Sequence, residues 1–411
     1  MPFAALDAPV LAHGCGRSYG DVCLNGAGVL IDTTHLDRLL HFDQTTGVFR
    51  CEAGVTLEQI LNVIVPRGWF LPVTPGTKFV TVGGAIANDV HGKNHHRAGS
   101  FGRHVTRLEL LRSTGERIIC SADRNSEMFH ATIGGLGLTG LILWTEIQLR
   151  RVTGPFFSTS TVPFGSLTEF MELSEAWDDE FEYTVAWVDS QARGNRLGRG
   201  ILFAGNHLQA DPGLVPSRRP RLTVPFDFPA FVLSGVATRW FNALYYRMQR
   251  RRVSGKVTHY EPFLYPLDAI NSWNRMYGPR GFFQYQSLVP MSDGVEATRE
   301  ILERVALSRQ GAVLAVLKRF GNIPSAGLLS FPRSGLTLAV DLPNRGSQTL
   351  RLLDELDAIV LRVGGSVYPA KDARMPGTSF RRFFPQWESF RSFVDPQFRS
   401  DFWHRVTNET D

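Results

Sequence analysis

The sequence predicts an α+β protein of two domains, and three observations carry that prediction. The first 150 residues alternate short apolar, strand-like runs with three glycine-rich loops. Near residue 152 the character changes to longer strand-like runs separated by periodic helices, the pattern of an antiparallel sheet covered by helices on one face. At 411 residues, with 43% apolar and 20% charged residues, the chain is long enough for two substantial cores.

Val10 to Ala12 reads as a short strand running into HGCGRSYGD (His13 to Asp21). A strand followed by a glycine-punctuated turn suits the cradling of phosphate by backbone N–H groups. The spacing of Gly14, Gly16 and Gly20 is not GxGxxG, and no helical pattern follows, so this is not a nicotinamide-type turn. Taken alone, such a run is most often a structural turn. Strand-like residues return at Val29 to Asp32 and Val48 to Glu52.

Thr56 to Val65 is helical: Thr56 and Gln59 form a capping box, and Leu57, Ile60, Leu61 and Ile64 give one apolar stripe. Pro66 ends it, and Trp69 to Val73 reads as a strand. Thr74 to Gly102 (TPGTKFVTVGGAIANDVHGKNHHRAGSFG) is rich in glycine and suits neither a helix nor a strand interior. It suits a long stretch of backbone laid against a polar ligand, with Gly83, Gly84, Gly92, Gly99 and Gly102 bare at the points of approach. A hairpin (Arg107 to Leu111 with Arg117 to Cys120), a helix at Glu127 to Ala131, the loop IGGLGLTG (Ile133 to Gly140) and a strand at Leu141 to Leu149 complete this half.

In the second half, strands are expected at Tyr183 to Val188, Gly200 to Phe203, Phe282 to Pro290, Ala312 to Gly321 and Gly335 to Pro343. Val295, Ile301, Leu302 and Val305 mark one helix; Leu353, Leu356, Ile359 and Val360 mark another. Ser217 to Lys256 stands apart. Arg218, Arg219 and Arg221 open it, Arg247, Arg250, Arg251, Arg252 and Lys256 close it, and an aromatic, apolar run lies between. That composition suits a membrane surface or a cover over a lipid-bearing substrate. A packed helix with a solvated basic end is the plainer alternative.

The net charge of +5 favours anionic ligands but is too small to argue nucleic-acid binding, and no nucleic-acid motif is present. Cys15, Cys23, Cys51 and Cys120 form no CxxC pair and no Cys/His metal spacing, so free thiols and no metal are expected. Neither a secretory signal nor a membrane-spanning run is seen, which suggests a cytoplasmic protein or one peripheral to the membrane.

HGCGRSYGD, PGTKFVTVGGAIANDVHGKNHH, GGLGLTG, FFQYQ, LKRFG, LSFP and VYPAKDAR occur in the order found in decaprenylphosphoryl-β-D-ribose 2′-oxidases, and the chain resembles that family from Val10 to VDPQFRSD (Val394 to Asp401). Those enzymes are vanillyl-alcohol-oxidase-type FAD flavoproteins. The resemblance implies an FAD domain over 1–151, a substrate domain over 152–365, and a C-terminal segment (366–411) returning to the FAD site. The family has a further strand and helix ahead of the first loop, so it also implies an FAD domain short of those elements.

By the same resemblance, Gly14, Gly16, Arg17, Ser18, Tyr19 and Gly20 with Thr81, Gly83, Gly84 and Ala85 contact the pyrophosphate and adenosine. Asn88, His91, Gly92 and Lys93 approach the isoalloxazine, Gly135, Gly140 and Ile142 line another side, and Tyr368 joins the pocket. Many relatives attach FAD through a histidine in a GHS version of the first loop. Here Arg17 stands in GRS, and a guanidinium has no lone pair to offer, so the FAD is expected to be non-covalent.

The implied chemistry is alcohol oxidation by hydride transfer to the flavin, which requires a proton acceptor beside the hydroxyl. The resemblance puts Lys371 first at that centre, either to orient the sugar hydroxyl or, where burial lowers its pKa, to accept the proton, and His91 second, with Gln284, Gln286, Lys318, Phe320, Thr337 and Ala339 as substrate positions. On pattern alone Lys318 and Lys371 would be solvated surface lysines. Thr337 and Ala339 stand where mycobacterial relatives have asparagine and cysteine, which alters the pocket. The implied reaction is oxidation of the 2′-hydroxyl of a polyprenylphosphoryl pentose, the keto sugar passing to a short-chain reductase partner to complete epimerisation. Oxidation of soluble alditols or aldonolactones, and a non-catalytic flavin scaffold, are the competing readings.

Overall fold

The computed structural model describes residues 8–209, 213, 222–312 and 314–408. Arg218, Arg219 and Arg221 therefore lie outside the described residues. The chain forms two compact units, one of Met1–Gly154, Ile323–Arg333 and Asp372–Asp411, the other of Pro155–Asn322 and Ser334–Lys371. The division falls three residues after the expected 151 and six after the expected 365. Residues 323–333, expected in the substrate domain, group with the first unit because their contacts are there: Ser330 donates to Asp89 (2.6 Å) and Arg103 to the Pro324 carbonyl (3.1 Å).

The first unit opens with β1 (Val10–His13) and β2 (Val29–Asp32), which pair in parallel. Then follow β3 (Leu39–Phe42), β4 (Val48–Glu52), α1 (Leu57–Ile64) and α2 (Val82–Ala87). β5 (Val105–Leu111), β6 (Arg117–Ser121), α3 (Ser126–Thr132) and β7 (Leu141–Gln148) complete the body, with sheet order β3-β4-β7-β5-β6. Both halves of the capping box form at α1: Gln59 N–H donates to Thr56 Oγ1 (3.2 Å) and Thr56 N–H to Gln59 Oε1 (2.8 Å). Leu57, Ile60, Leu61 and Ile64 are buried, each contributing about 2 kcal/mol relative to exposure.

The stretch Thr74 to Gly102 is not all loop, since it contains α2 and a further turn of helix at His95–Ala98. Thr81 caps α2 by accepting from Gly84 N–H. The glycines are tolerated there because α2 lies close on neighbouring backbone: a Cβ on Gly83 would stand 3.0 Å from the Ala53 Cβ. The C-terminal segment buttresses the first loop. Arg405 donates to both Asp21 oxygens (2.9 and 2.8 Å) and to Asp372 (3.0 Å), and Arg399 N–H to the Val10 carbonyl.

In the second unit the strands of the main sheet are β8 (Phe156–Phe164), β9 (Tyr183–Val188), β10 (Gly200–His207), β11 (Val253–His259), β12 (Phe282–Val289), β13 (Ala315–Phe320), β14 (Gly335–Pro343) and β15 (Ser366–Val367). They form one eight-stranded sheet in the order β11-β8-β10-β9-β13-β14-β12-β15. The helices are α4 (Leu167–Asp178), α5 (Gly235–Gln249), α6 (Gly294–Ser308) and α7 (Ser347–Arg362). Val305, Leu353 and Leu356 are buried as the periodicity required. β3, β8, β11 and β15 have no counterpart among the strands expected from sequence. Pro163 argues against a strand, yet pairing of β8 with β11 runs only to Thr161, so Pro163 lacks a neighbour on that side and forfeits no ladder bond.

The two faces of this sheet differ. Leu336, Leu338 and Val340 of β14, with Leu317 of β13, are buried on the face that carries α6, where a Cβ on Gly294 would touch Leu336. The alternating positions point to the opposite face and are largely polar. On that face Trp187 of β9 meets Tyr245 of α5, ring centroids 4.7 Å apart. One helix therefore covers part of the polar face, beyond the single covered face expected from sequence.

Candidate active site

The residues expected around the flavin lie in the first unit, Tyr368 excepted; the substrate set, Tyr368 and Lys371 lie in the second. Each group is built differently.

In the first unit the glycine loops meet at α2. Gly14 lies against Thr81, where a Cβ would come within 2.4 Å of the threonine Oγ1, and Arg17 Nε donates to the Phe79 carbonyl (3.3 Å). From the other side, Gly134 N–H donates to the Ile86 carbonyl and Leu136 N–H to that of Ala87. Two loops far apart in sequence thus converge on the helix and N-cap carried by the third.

Among the described residues, the successive N–H groups of Gly14, Cys15, Gly16, Arg17 and Ser18 meet no protein acceptor. Buried or not, backbone donors seek partners, and a run of them around a left-handed residue (Gly16, φ 58°) is the donor set that an anion such as a diphosphate takes up. By contrast Gly83 N–H is committed to the Ala53 carbonyl and Gly84 N–H to Thr81 Oγ1. These two supply closeness rather than donors. Gly20 answers to packing: a Cβ there would fall 1.4 Å from the Asp372 carbonyl oxygen. Gly92, Gly135 and Gly140 likewise abut the backbone oxygens of Thr74, Ala131 and Leu111.

After α2, Asn88 Nδ2 donates to the Gly84 carbonyl (3.0 Å), and Asp89, fully buried, accepts from Gly102 N–H (2.8 Å) and Ser330. His91 is buried with its ring 6.1 Å from that of Phe331. Burial pulls the Lys93 ammonium down to about 7, leaving an amine that titrates near neutrality. Ile142, on β7, is buried beside Leu110. Tyr19, Ser18 and Ala85 complete the set, Ala85 buried within α2.

In the second unit, register gathers every expected substrate position on one sheet face. Gln284 pairs with Asp341, Gln286 with Ala339, Lys318 with Thr337 and Phe320 with Gly335, and directly opposed residues share a face. Gln286 Nε2 donates to Thr337 Oγ1 (3.0 Å), and the Lys318 ammonium stands 5.6 Å from the Phe320 ring centre. β15 pairs with the edge of β12; Tyr368 N–H then donates to the Gln286 carbonyl (2.9 Å) and Lys371 N–H to that of Tyr368 (3.0 Å). This turn carries Lys371 to the same face.

There Lys371 Nζ donates to Gln284 Oε1. Gln284 Nε2 donates in turn to Asp341 Oδ1 (2.6 Å), whose other oxygen accepts from the Tyr277 hydroxyl (3.1 Å). Burial holds the Lys371 ammonium below the ordinary lysine range, opposed in part by the Asp341 charge. Burial also raises the Asp341 carboxyl, against the Gln284 hydrogen bond and the Lys371 charge. The arrangement is a lysine amine poised to exchange a proton, aimed by an amide and backed by a carboxylate.

Asp341, Tyr277 and Asp89 were missed from the sequence. Asp341 was within reach, since it lies two residues beyond Ala339 in an alternating strand. Tyr277 sits in an irregular turn (Trp273–Tyr277) with no periodic signal.

A model of the FAD binding domain matches residues 3–121. The decaprenylphosphoryl-β-D-ribose oxidase of Mycolicibacterium smegmatis is 37% identical over 97% of this chain and 89% of its own length. The chain belongs to the decaprenylphosphoryl-β-D-ribose oxidase family. An uncharacterized protein of Streptomyces coelicolor is 35% identical over 86% of this chain and 100% of its own. A Neurospora crassa protein described as a D-arabinono-1,4-lactone oxidase is 29% identical, but over 36% of this chain and 26% of its own. As a member of the oxidase family the protein is an FAD-dependent oxidoreductase of two-domain, vanillyl-alcohol-oxidase type. The donor run of the first loop fits the diphosphate of that cofactor.

Proposed function

We propose that the protein oxidises the 2′-hydroxyl of a polyprenylphosphoryl-β-D-ribose to the 2′-keto sugar. The observation that carries this is the Lys371–Gln284–Asp341–Tyr277 chain on the sheet face that also bears Gln286, Thr337 and Lys318. FAD, when bound, would supply the hydride acceptor for C2′. Lys371 takes the hydroxyl proton at Nζ, and its lowered proton affinity makes the free amine available near neutral pH. Gln284 fixes the direction of that amine. Gln286 and Thr337 hydrogen-bond the pentose, and Lys318 supplies positive charge for the phosphate.

The first loop would hold the diphosphate of FAD through its main-chain N–H groups, with Thr81, Gly83, Gly84 and Ala85 supporting that loop. Asn88, His91, Gly92 and Lys93 would serve the flavin ring from the first unit, as would Gly135, Gly140 and Ile142, and Tyr368 would do so from the second. His91 is the second candidate proton acceptor. Arg17 leaves the FAD non-covalent. The keto sugar is reduced by a short-chain dehydrogenase partner at C2′ to the arabinose donor. Among the described residues no helix is long and apolar enough to cross a membrane, and the contact with lipid is peripheral in this reading.

Oxidation of soluble alditols or aldonolactones is the second reading, suggested by the lactone-oxidase likeness, but that likeness spans 36% of the chain against 97%. Anaerobic bleaching of the flavin absorbance decides between them. Polyprenylphosphoryl ribose should bleach it and free ribose, alditols and lactones should not; the reverse pattern would overturn the proposal. A flavin that no sugar bleaches would leave only the non-catalytic scaffold.

A further inference from the structure

Helix α5 is built inside out. Its inward residues are polar: Asn242, with no exposed surface, donates to Asp189 Oδ1 (3.1 Å), and Thr238 donates to the Gly311 carbonyl (3.3 Å). Tyr246 reaches the Phe164 carbonyl (3.4 Å) and lies under the Arg199 guanidinium. These bonds hold the helix in one orientation. Its outward stripe, at i, i+4, i+8 and i+12, is Val236, Trp240, Leu244 and Met248, with Trp240 75% and Met248 69% exposed. A surface helix normally shows the reverse arrangement.

Along the helix and the strand that follows it, the charge has one sign. Arg239, Arg247, Arg250, Arg251, Arg252 and Lys256 are all exposed, and from Phe228 to Tyr260 the sequence has no aspartate or glutamate. Arg239 and Arg247 flank the apolar stripe along the helix, and the other four follow its C-terminus. An apolar stripe with an outward tryptophan, whose own charged neighbours along the chain are all cations, matches an anionic bilayer surface: indole and leucine enter the headgroup boundary while guanidinium groups meet lipid phosphates. A second copy of the chain would bring six more cations to the same patch and suits it poorly. Through Trp187 and Tyr245, α5 also lies on the sheet face that bears the candidate substrate residues, so a lipid surface here adjoins the side from which a lipid-linked pentose is read.

We propose that the outer face of α5 and its arginine rim dock the protein on the surface of anionic bilayers. This deepens the peripheral-contact reading above and rests on none of its redox chemistry.

The test is co-sedimentation of the full FAD-loaded chain with vesicles of phosphatidylglycerol and phosphatidylcholine, against vesicles of phosphatidylcholine alone. The wild type should bind the anionic vesicles, and added salt should weaken it. Trp240→Ser with Leu244→Ser should abolish binding while melting temperature and flavin spectrum stay as in the wild type. Replacing Arg250, Arg251 and Arg252 by Gln should weaken it on the order of a hundredfold, from about fivefold per arginine. Absence of wild-type binding, equal binding by the variants, or a dimer in solution that Trp240→Ser dissolves would each overturn the proposal. No sugar enters this assay, so its failure and that of the oxidation proposal are separate results.

Discussion

The first unit presents main chain where the second presents side chains. Around Gly14 to Ser18 the useful groups are peptide N–H donors, and the side chains serve mainly by being absent. On the second unit's sheet the useful groups are two amines, two amides, two hydroxyls and a carboxylate, most of them aimed by strand register. The difference matches the two tasks. A diphosphate needs many donors at short range and little discrimination, which backbone supplies at no cost in side-chain entropy. A proton transfer needs one group with tuned acidity in one place, and only a side chain held by others provides that.

The contrast breaks first at Lys371. Lys371→Ala should leave the flavin spectrum intact and slow anaerobic bleaching by about 10²- to 10⁴-fold, the worth of a positioned general base. Stopped-flow absorbance measures it, and bleaching at the wild-type rate would remove the lysine from its role. Glycine positions should fail in another way. Gly20→Ala drives a methyl group into the Asp372 carbonyl, so the C-terminal segment must move off the first loop. The expected loss is about 3 kcal/mol of stability, read as a lower melting temperature together with loss of bound FAD. A variant that melts like the wild type would mean the loop and residue 372 are less closely packed than they stand here.

Asp341→Asn sharpens the side-chain half. The asparagine oxygen still accepts from Gln284, and its amide N–H donates to the Tyr277 hydroxyl, which turns from donor to acceptor, so the contacts persist while the charge goes. That charge raises the lysine's proton affinity against burial; without it the Lys371 pKa falls. Bleaching that requires the neutral amine rises with pH through that pKa, so its acid limb should move to lower pH by about one unit. A limb that stays put, or moves up, would show that Asp341 does not act on the lysine electrostatically.

The same division explains what could be read before the fold was known. The glycine loops announce themselves by composition, because a position that tolerates no Cβ leaves only one residue type. Yet composition does not say why the Cβ is excluded, and Gly14 beside Thr81 looks the same in sequence as Gly20 against Asp372. The α1 helix was legible because a capping box and an apolar stripe are local. α5 defeats the same reading: its stripe is real, but it faces outward, and which face is buried depends on Asp189 and Gly311, fifty to seventy residues away in sequence. Alternation on β12 placed Gln284 and Gln286 together, whereas the partners that tune Lys371 come from three other segments, and pairing between segments has no local signature.

The smallest effect separates side chain from main chain within a single turn. Arg17 is exposed and makes one side-chain hydrogen bond, to the Phe79 carbonyl. An exposed bond of that kind is worth about 0.5 kcal/mol, so Arg17→Gln should weaken FAD binding by less than about threefold in a fluorescence titration. The cofactor should leave both proteins on denaturation, since neither residue offers a nucleophile for attachment. If Arg17→Gln instead lost FAD tenfold or more, the guanidinium and not the peptide N–H groups would be the principal anchor, and the first unit would hold its ligand by the same means as the second.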